Sequence, residues 1–161
     1  MRRLLLVLMV FASPALLAAD HDYELQFSPN FGWSNYETIF GLNASLLVPL
    51  NDHWQWKVGA GLTSYSMGGA TFGLSSGLVY NFQTDWMDSF FAGAGLGYSS
   101  SYQLLGSDSV GHSTYAYAEF GKRFKLNASG TFAYAPSVSV SSNFHNGVEL
   151  AIHPFNFTWS F

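Results

Sequence analysis

The sequence predicts an all-β chain, an eight-stranded antiparallel up-and-down transmembrane β-barrel. Three observations predict it. About eight segments alternate apolar and small polar residues with period two, the strand period. Only 10% of residues are charged, against roughly a quarter in an ordinary soluble domain, so a water-facing exterior would be poorly solvated. The chain is 48% hydrophobic and 18% aromatic, yet after its first twenty residues no run reaches the ~18 apolar residues of a spanning helix.

The first twenty residues are a different element. Arg2 and Arg3 precede the apolar run "LLLVLMVFA", Pro14 breaks it, and "LLAAD" supplies small residues before Asp20. This is the pattern of a secretory signal peptide over 1–19, with a barrel domain over 20–161. The 20–161 chain keeps four basic residues against ten acidic ones, a net formal charge of −6, which argues against a nucleic-acid partner. With no cysteine, disulfides, thiol catalysis and Cys-ligated metals are excluded.

The strands follow in order. "YELQFSPNFGWS" sets Tyr23, Leu25, Phe27, Phe31 and Trp33 against Glu24, Gln26, Ser28 and Asn30. "ETIFGLNASLLV" sets Phe40, Leu42, Leu46 and Val48 against Glu37, Gly41, Asn43 and Ser45. "HWQWKVGAGLTS" sets Trp54, Trp56, Val58 and Leu62 against Gln55, Lys57, Gly59 and Gly61. "ATFGLSSGLVYNF" and "FFAGAGLGYSS" oppose Phe72, Leu74, Leu78, Phe90 and Leu96 to glycine and serine. "STYAYAEFGKRF" opposes Ala116, Ala118 and Phe120 to Tyr115, Tyr117, Glu119 and Arg123. "TFAYAPSVSVSS" opposes Phe132, Tyr134, Val138 and Val140 to alanine and serine. Ten or so residues suffice to cross a bilayer as a tilted strand, and closure is required there because unpaired backbone is costly in hydrocarbon. The alternative, a soluble sandwich or lipocalin-like barrel, would turn the charge-poor Gly/Ser face to water.

The last segment, "VELAIHPFNFTWSF", changes phase. Val148, Leu150 and Ile152 are even-numbered, whereas Phe155, Phe157, Trp159 and Phe161 are odd. Both sets face outward only if the pleat slips by one, which predicts a bulge near His153-Pro154. Compact turns at "PLNDH", "QTDWMD" and "KLNASG" are assigned to the periplasmic side; of the opposite loops only "SYQLLGSDSVGH" is long.

The inward face carries Glu24, Glu37, Lys57, Glu119, Arg123 and Glu149. Inside a narrow barrel such charges must be paired or hydrogen-bonded, so they predict a polar network plugging the interior. A narrow porin is the alternative, although about eight strands leave an interior just filled by side chains. No metal-binding or cofactor motif stands out: the five histidines lack ligand spacing, and "GAGLG" lacks a dinucleotide fingerprint's spacing and helix. His53 and His153 are expected at the membrane interface. His112-Ser113 as a hydrolytic pair would point to opposite strand faces.

Aromatics gather near both ends of the segments: Trp54, Tyr80, Trp86, Phe90, Phe120 and Phe132 near the short turns, Trp33, Tyr65 and Tyr98 near the loops. Two such belts suit two membrane–water boundaries. With the leader, "FFAGAGLGYSS" and the terminal phenylalanine, the chain resembles the bacterial OmpA/OmpX-like outer-membrane β-barrel superfamily. The resemblance implies an outer-membrane location, lipids as surroundings, a monomer, no cofactor, and a structural or surface-interaction role rather than an enzyme. It also implies that Phe155, Phe157, Trp159 and Phe161 form the signal read by the β-barrel assembly machinery. A lipid A-modifying barrel hydrolase is the enzymatic alternative, but its family's His-x-Ser motif is absent, the sequence after His112 being "STYAYA".

Overall fold

A computed structural model describes residues 22–34, 37–66, 68–103, 111–143 and 147–161, with backbone alone at 32–34, 37 and 103. The expected leader over 1–19 lies outside the described residues. In chain order the strands are β1 (Glu24–Ser34), β2 (Glu37–Pro49), β3 (Trp54–Tyr65), β4 (Gly69–Asn81), β5 (Phe90–Gln103), β6 (Gly111–Lys122), β7 (Phe124–Lys125), β8 (Phe132–Tyr134), β9 (Ser137–Asn143), β10 (Gly147–His153) and β11 (Phe157–Ser160). All pairings are antiparallel, in the order β10-β9-β6-β5-β4-β3-β2-β1-β11-β8-β7.

The eleven segments make eight staves. Only Arg123 parts β6 from β7, Ala135-Pro136 parts β8 from β9, and residues 154–156 part β10 from β11. The pairing runs once around and returns to its start: β1 meets β2 on one side and β11 on the other, and the sixth and seventh staves meet through β6·β9 and β7·β8. The expected eight strands are thus present, three of them interrupted. Each break has a local cause: Arg123 is drawn into the barrel end, Pro136 has no N–H to give, and the eighth stave carries an extra residue.

That extra residue is the expected bulge. His153 pairs with Ser137 and Phe157 with Tyr134, so three residues, 154–156, face two, 135–136. His153 lines the interior, whereas Phe155 is exposed outside and Asn156 is buried inside. The pleat has slipped by one, and the terminal aromatics share an outer face with Val148, Leu150 and Ile152.

Elsewhere strict alternation decides which residues point where. Leu42, Leu62, Leu74, Leu96 and Phe120 stand exposed on the outside, while Gln26, Gln55, Asn81 and Thr158 are buried within. The interior is not polar throughout. Leu47, Val79, Phe91 and Ala135 form a small apolar cluster there, all at inward-pointing odd positions. Above it the rings of Tyr115 and Tyr117 lie against glycines of the neighbouring staves β5 and β4. A Cβ on Gly77 would come within 2.6 Å of the Tyr117 hydroxyl, and one on Gly95 within 2.8 Å of its ring. These glycines leave room for two tyrosines inside the narrow tube. Gly95→Val must displace Tyr117 or the backbone of the neighbouring stave β4 at Ser76-Gly77, an overpacking cost of about 1–3 kcal/mol. Its barrel should unfold at a lower temperature in heat-modifiable gel migration; an unchanged midpoint would refute the packing described.

Candidate functional site

The start of β1 and the C-terminal residue mark one end of the barrel, where Phe161 N donates to Tyr23 O at 3.0 Å. This end is sealed by a floor of four fully buried polar side chains from different staves: Glu24, Gln55, Asn81 and Arg123. The turn 82–89 explains how. It makes a single 3₁₀ turn, Trp86–Asp88, that tucks Trp86 and Met87 beneath the barrel, and Ser89 O accepts the Arg123 backbone N–H at 2.9 Å. Arg123 then points inward and fans its guanidinium over the floor.

The bonds are mutual. Arg123 Nη1 donates to Asn81 Oδ1 and, at 3.3 Å, to Trp86 O; its Nη2 donates to Gln55 Oε1 at 3.1 Å. Gln55 Nε2 donates to Glu24 Oε1 at 2.8 Å, and Asn81 Nδ2 to Gln55 Oε1 at 2.9 Å. Glu24 Oε2 lies 3.3 Å from Arg123 Nη2 without a hydrogen bond, so that contact is charge against charge. Phe91 closes the upper face of the guanidinium, its ring centroid 4.7 Å away. Bidentate capability and permanent charge suit arginine to this post.

Above the floor and the apolar cluster, Lys57 Nζ sits between both Glu119 carboxylate oxygens at 2.7 and 2.9 Å. This pair forms the base of a cavity of about 490 Å³ lined by eight serines, among them Ser28, Ser75 and Ser139, with Asn43, Asn143, Tyr115 and Tyr117. Glu149 and His153 enter it from β10, and His153 Nε2 lies 2.9 Å from Ser139 Oγ.

Four of the six inward charges therefore meet in two separate pairs, Glu24–Arg123 and Lys57–Glu119. Glu149 joins neither and is exposed at the cavity mouth; the Glu37 side chain lies outside the described residues. Gln55 and Asn81 fall on the inward polar face in the sequence reading, but the predicted network, built from charges alone, leaves them out. Two placements are corrected. Trp86 is not an interfacial ring: it is buried, its Nε1 donating to Asp52 O at 2.6 Å. His153 faces the lumen rather than the interface, because the bulge begins one residue after it. His112 turns outward to the Tyr98 hydroxyl while Ser113 lines the lumen, so the two do face apart.

Outside, aromatic rings surround the terminal end. Trp54, Tyr80, Phe82, Phe120 and Phe90 contact one another in series, with centroids 5.0–6.4 Å apart. Phe124, Tyr134, Phe157 and Phe132 continue the belt. Phe155, Trp159 and Phe161 are exposed beside them.

No family model and no curated relative matches the chain. Among solved structures it is similar to the N-terminal β-barrel domain of Pseudomonas aeruginosa OprF, with a TM-score of 0.62 at 18% identity, covering 88% of this chain and 98% of that one. The outer membrane protein OprG from the same organism aligns with a TM-score of 0.59 at 12% identity, covering 89% and 97%. At such identities the likeness shows a shared barrel fold.

Removing the guanidinium leaves the Glu24 carboxylate buried without its charge partner, which costs about 3–5 kcal/mol. Arg123→Ala should lower the barrel's unfolding temperature sharply, and Glu24→Gln in the same chain should recover part of the loss. Additive losses in this double-mutant cycle would show that the two residues are uncoupled.

Proposed function

We propose that the protein is an integral outer-membrane β-barrel with a structural or surface-interaction role, not an enzyme and not an open pore. The observation that carries this reading is the reversal of ordinary burial. Large apolar side chains cover the outside, Leu96, Val148, Leu150 and Ile152 each more than 60% exposed, while Arg123, Glu24, Gln55 and Asn81 fill the inside. Water would penalise both choices; a bilayer around a hydrogen-bonded interior rewards both. The aromatic belt supports the same reading, and the sealed floor disfavours the narrow porin. The hydrolase alternative has less support: His112 and Ser113 point apart, and the Ser139–His153 pair has no described third group on His153 Nδ1.

The exposed terminal aromatics support an interaction with the β-barrel assembly machinery during insertion, in an outer membrane reached through the leader. The expected state is a monomer among lipids.

Cell fractionation tests the reading. The protein should sediment with outer membranes, need detergent for extraction, and migrate differently on gels when unheated; a monomer soluble without detergent would overturn it. Deleting Phe161 should cut the folded, membrane-inserted yield severalfold while leaving the floor intact in the molecules that do insert. Normal membrane yield of that deletion would argue against an assembly role for the tail.

A further inference from the structure

The barrel wall has an unpaired seam. β1 pairs with β2 along its whole length, but with β11 only from Glu24 to Phe27. Above Phe27, no ladder among the described residues joins β1 to β10. The cause is written in the covalent chain. The ladder stops where Pro29 faces the Pro154 region: neither proline has an N–H, and the extra residue at 154–156 puts the two edges out of step.

In hydrocarbon an unsatisfied backbone group costs several kcal/mol, and irregular backbone is tolerated only where it meets protein or a water-filled cavity. Such a cavity lies directly behind this seam. Its lining includes Gln26 and Ser28 from β1, and Glu149, Ala151 and His153 from β10. On the outer side of the same strands stand Phe31, Val148, Leu150 and Ile152, each 66–74% exposed. The seam is therefore a slot with a polar inner side and an apolar outer side.

We propose that this slot binds a single-chain amphiphile, its polar head in the lumen beside Glu149 and its chain against Val148, Leu150 and Ile152. A water-soluble ligand would leave the outer side uncovered, and a fully apolar one would leave the edge groups unsatisfied. The head carries positive charge: Lys57 is already neutralised by Glu119, whereas Glu149 has no partner among the described residues. The proposal rests on the membrane-barrel reading.

The test is a titration of the ¹⁵N-labelled barrel in phosphatidylcholine nanodiscs with dodecyltrimethylammonium. Saturable amide shifts are expected around Ser28, Ser139, Glu149 and His153. Tetramethylammonium, which has the head alone, and laurate, whose head is anionic, should each bind at least about tenfold more weakly, as should dodecyltrimethylammonium to Glu149→Gln. Deleting Pro154 restores one-to-one register while keeping Phe155 outward and Asn156 inward. Combined with Pro29→Val, it should extend the ladder and abolish the saturable shifts. Where that variant does not assemble, Ala151→Trp, which fills the slot from the lumen side, serves the same purpose. Shifts spread evenly and without saturation around the outer belt would overturn the proposal, as would unchanged saturable binding in either variant. Failure to enter nanodiscs at all would instead overturn the membrane reading.

Discussion

Everything in this molecule follows from one demand: backbone hydrogen bonds must be completed inside the sheet, because the outer side of the wall is covered by apolar side chains such as Leu96, Val148, Leu150 and Ile152. An edge is the most expensive feature such a sheet can have, so the sheet bends until its first stave meets its last. Closure with eight staves then fixes an interior just wide enough for side chains. That width shapes the remainder: glycine where a tyrosine ring lies over the neighbouring staves, serine around the cavity, and a few long polar residues where they bond to one another.

The polar floor and the apolar cluster above it divide the interior into unequal parts. Below, Arg123 satisfies three neighbours and is held from beneath by the turn that carries Trp86. Above, Lys57 and Glu119 neutralise each other and leave a hydroxyl-lined cup. The two ion pairs lie on different layers with Leu47, Val79 and Phe91 near the floor, so among the described residues the unpaired charge at the mouth of the cup is Glu149. The result is a hydroxyl-lined cavity above a fully buried polar floor.

Much of this could be read from parity alone. Odd and even positions predict the inward and outward faces of the staves, and the phase conflict between Ile152 and Phe155 places the bulge. Parity also places Leu47, Val79 and Phe91 inward, as it does Gln55 and Asn81, but says nothing of which inward residues pack or bond together. What alternation could not supply was pairing between residues far apart in sequence. Glu24 meets Arg123 and His153 meets Ser139 only through the register of particular staves. Trp86 escaped for another reason: it belongs to a turn, where period two has no meaning and a single 3₁₀ turn redirects the side chain beneath the floor. The seam at Pro29 and Pro154 is half legible: Pro154 coincides with a phase change that signals the bulge, whereas Pro29 sits within an unbroken alternation.

The hydrogen bond between Phe161 and Tyr23 has a consequence in time as well as in space. It joins residues at opposite ends of the folded chain, and the nearby Ser160–Asp22 contact spans 138 positions. The seven hairpin pairings can form as the chain extends, each from neighbouring staves. The closing ladder, four residue pairs long, cannot form until the last stave exists. Its search covers nearly the whole chain, and contacts of such separation are the slow ones. Ring closure is thus the natural last event in folding, and until it happens the first and last staves are both open edges, each a template for the wrong partner.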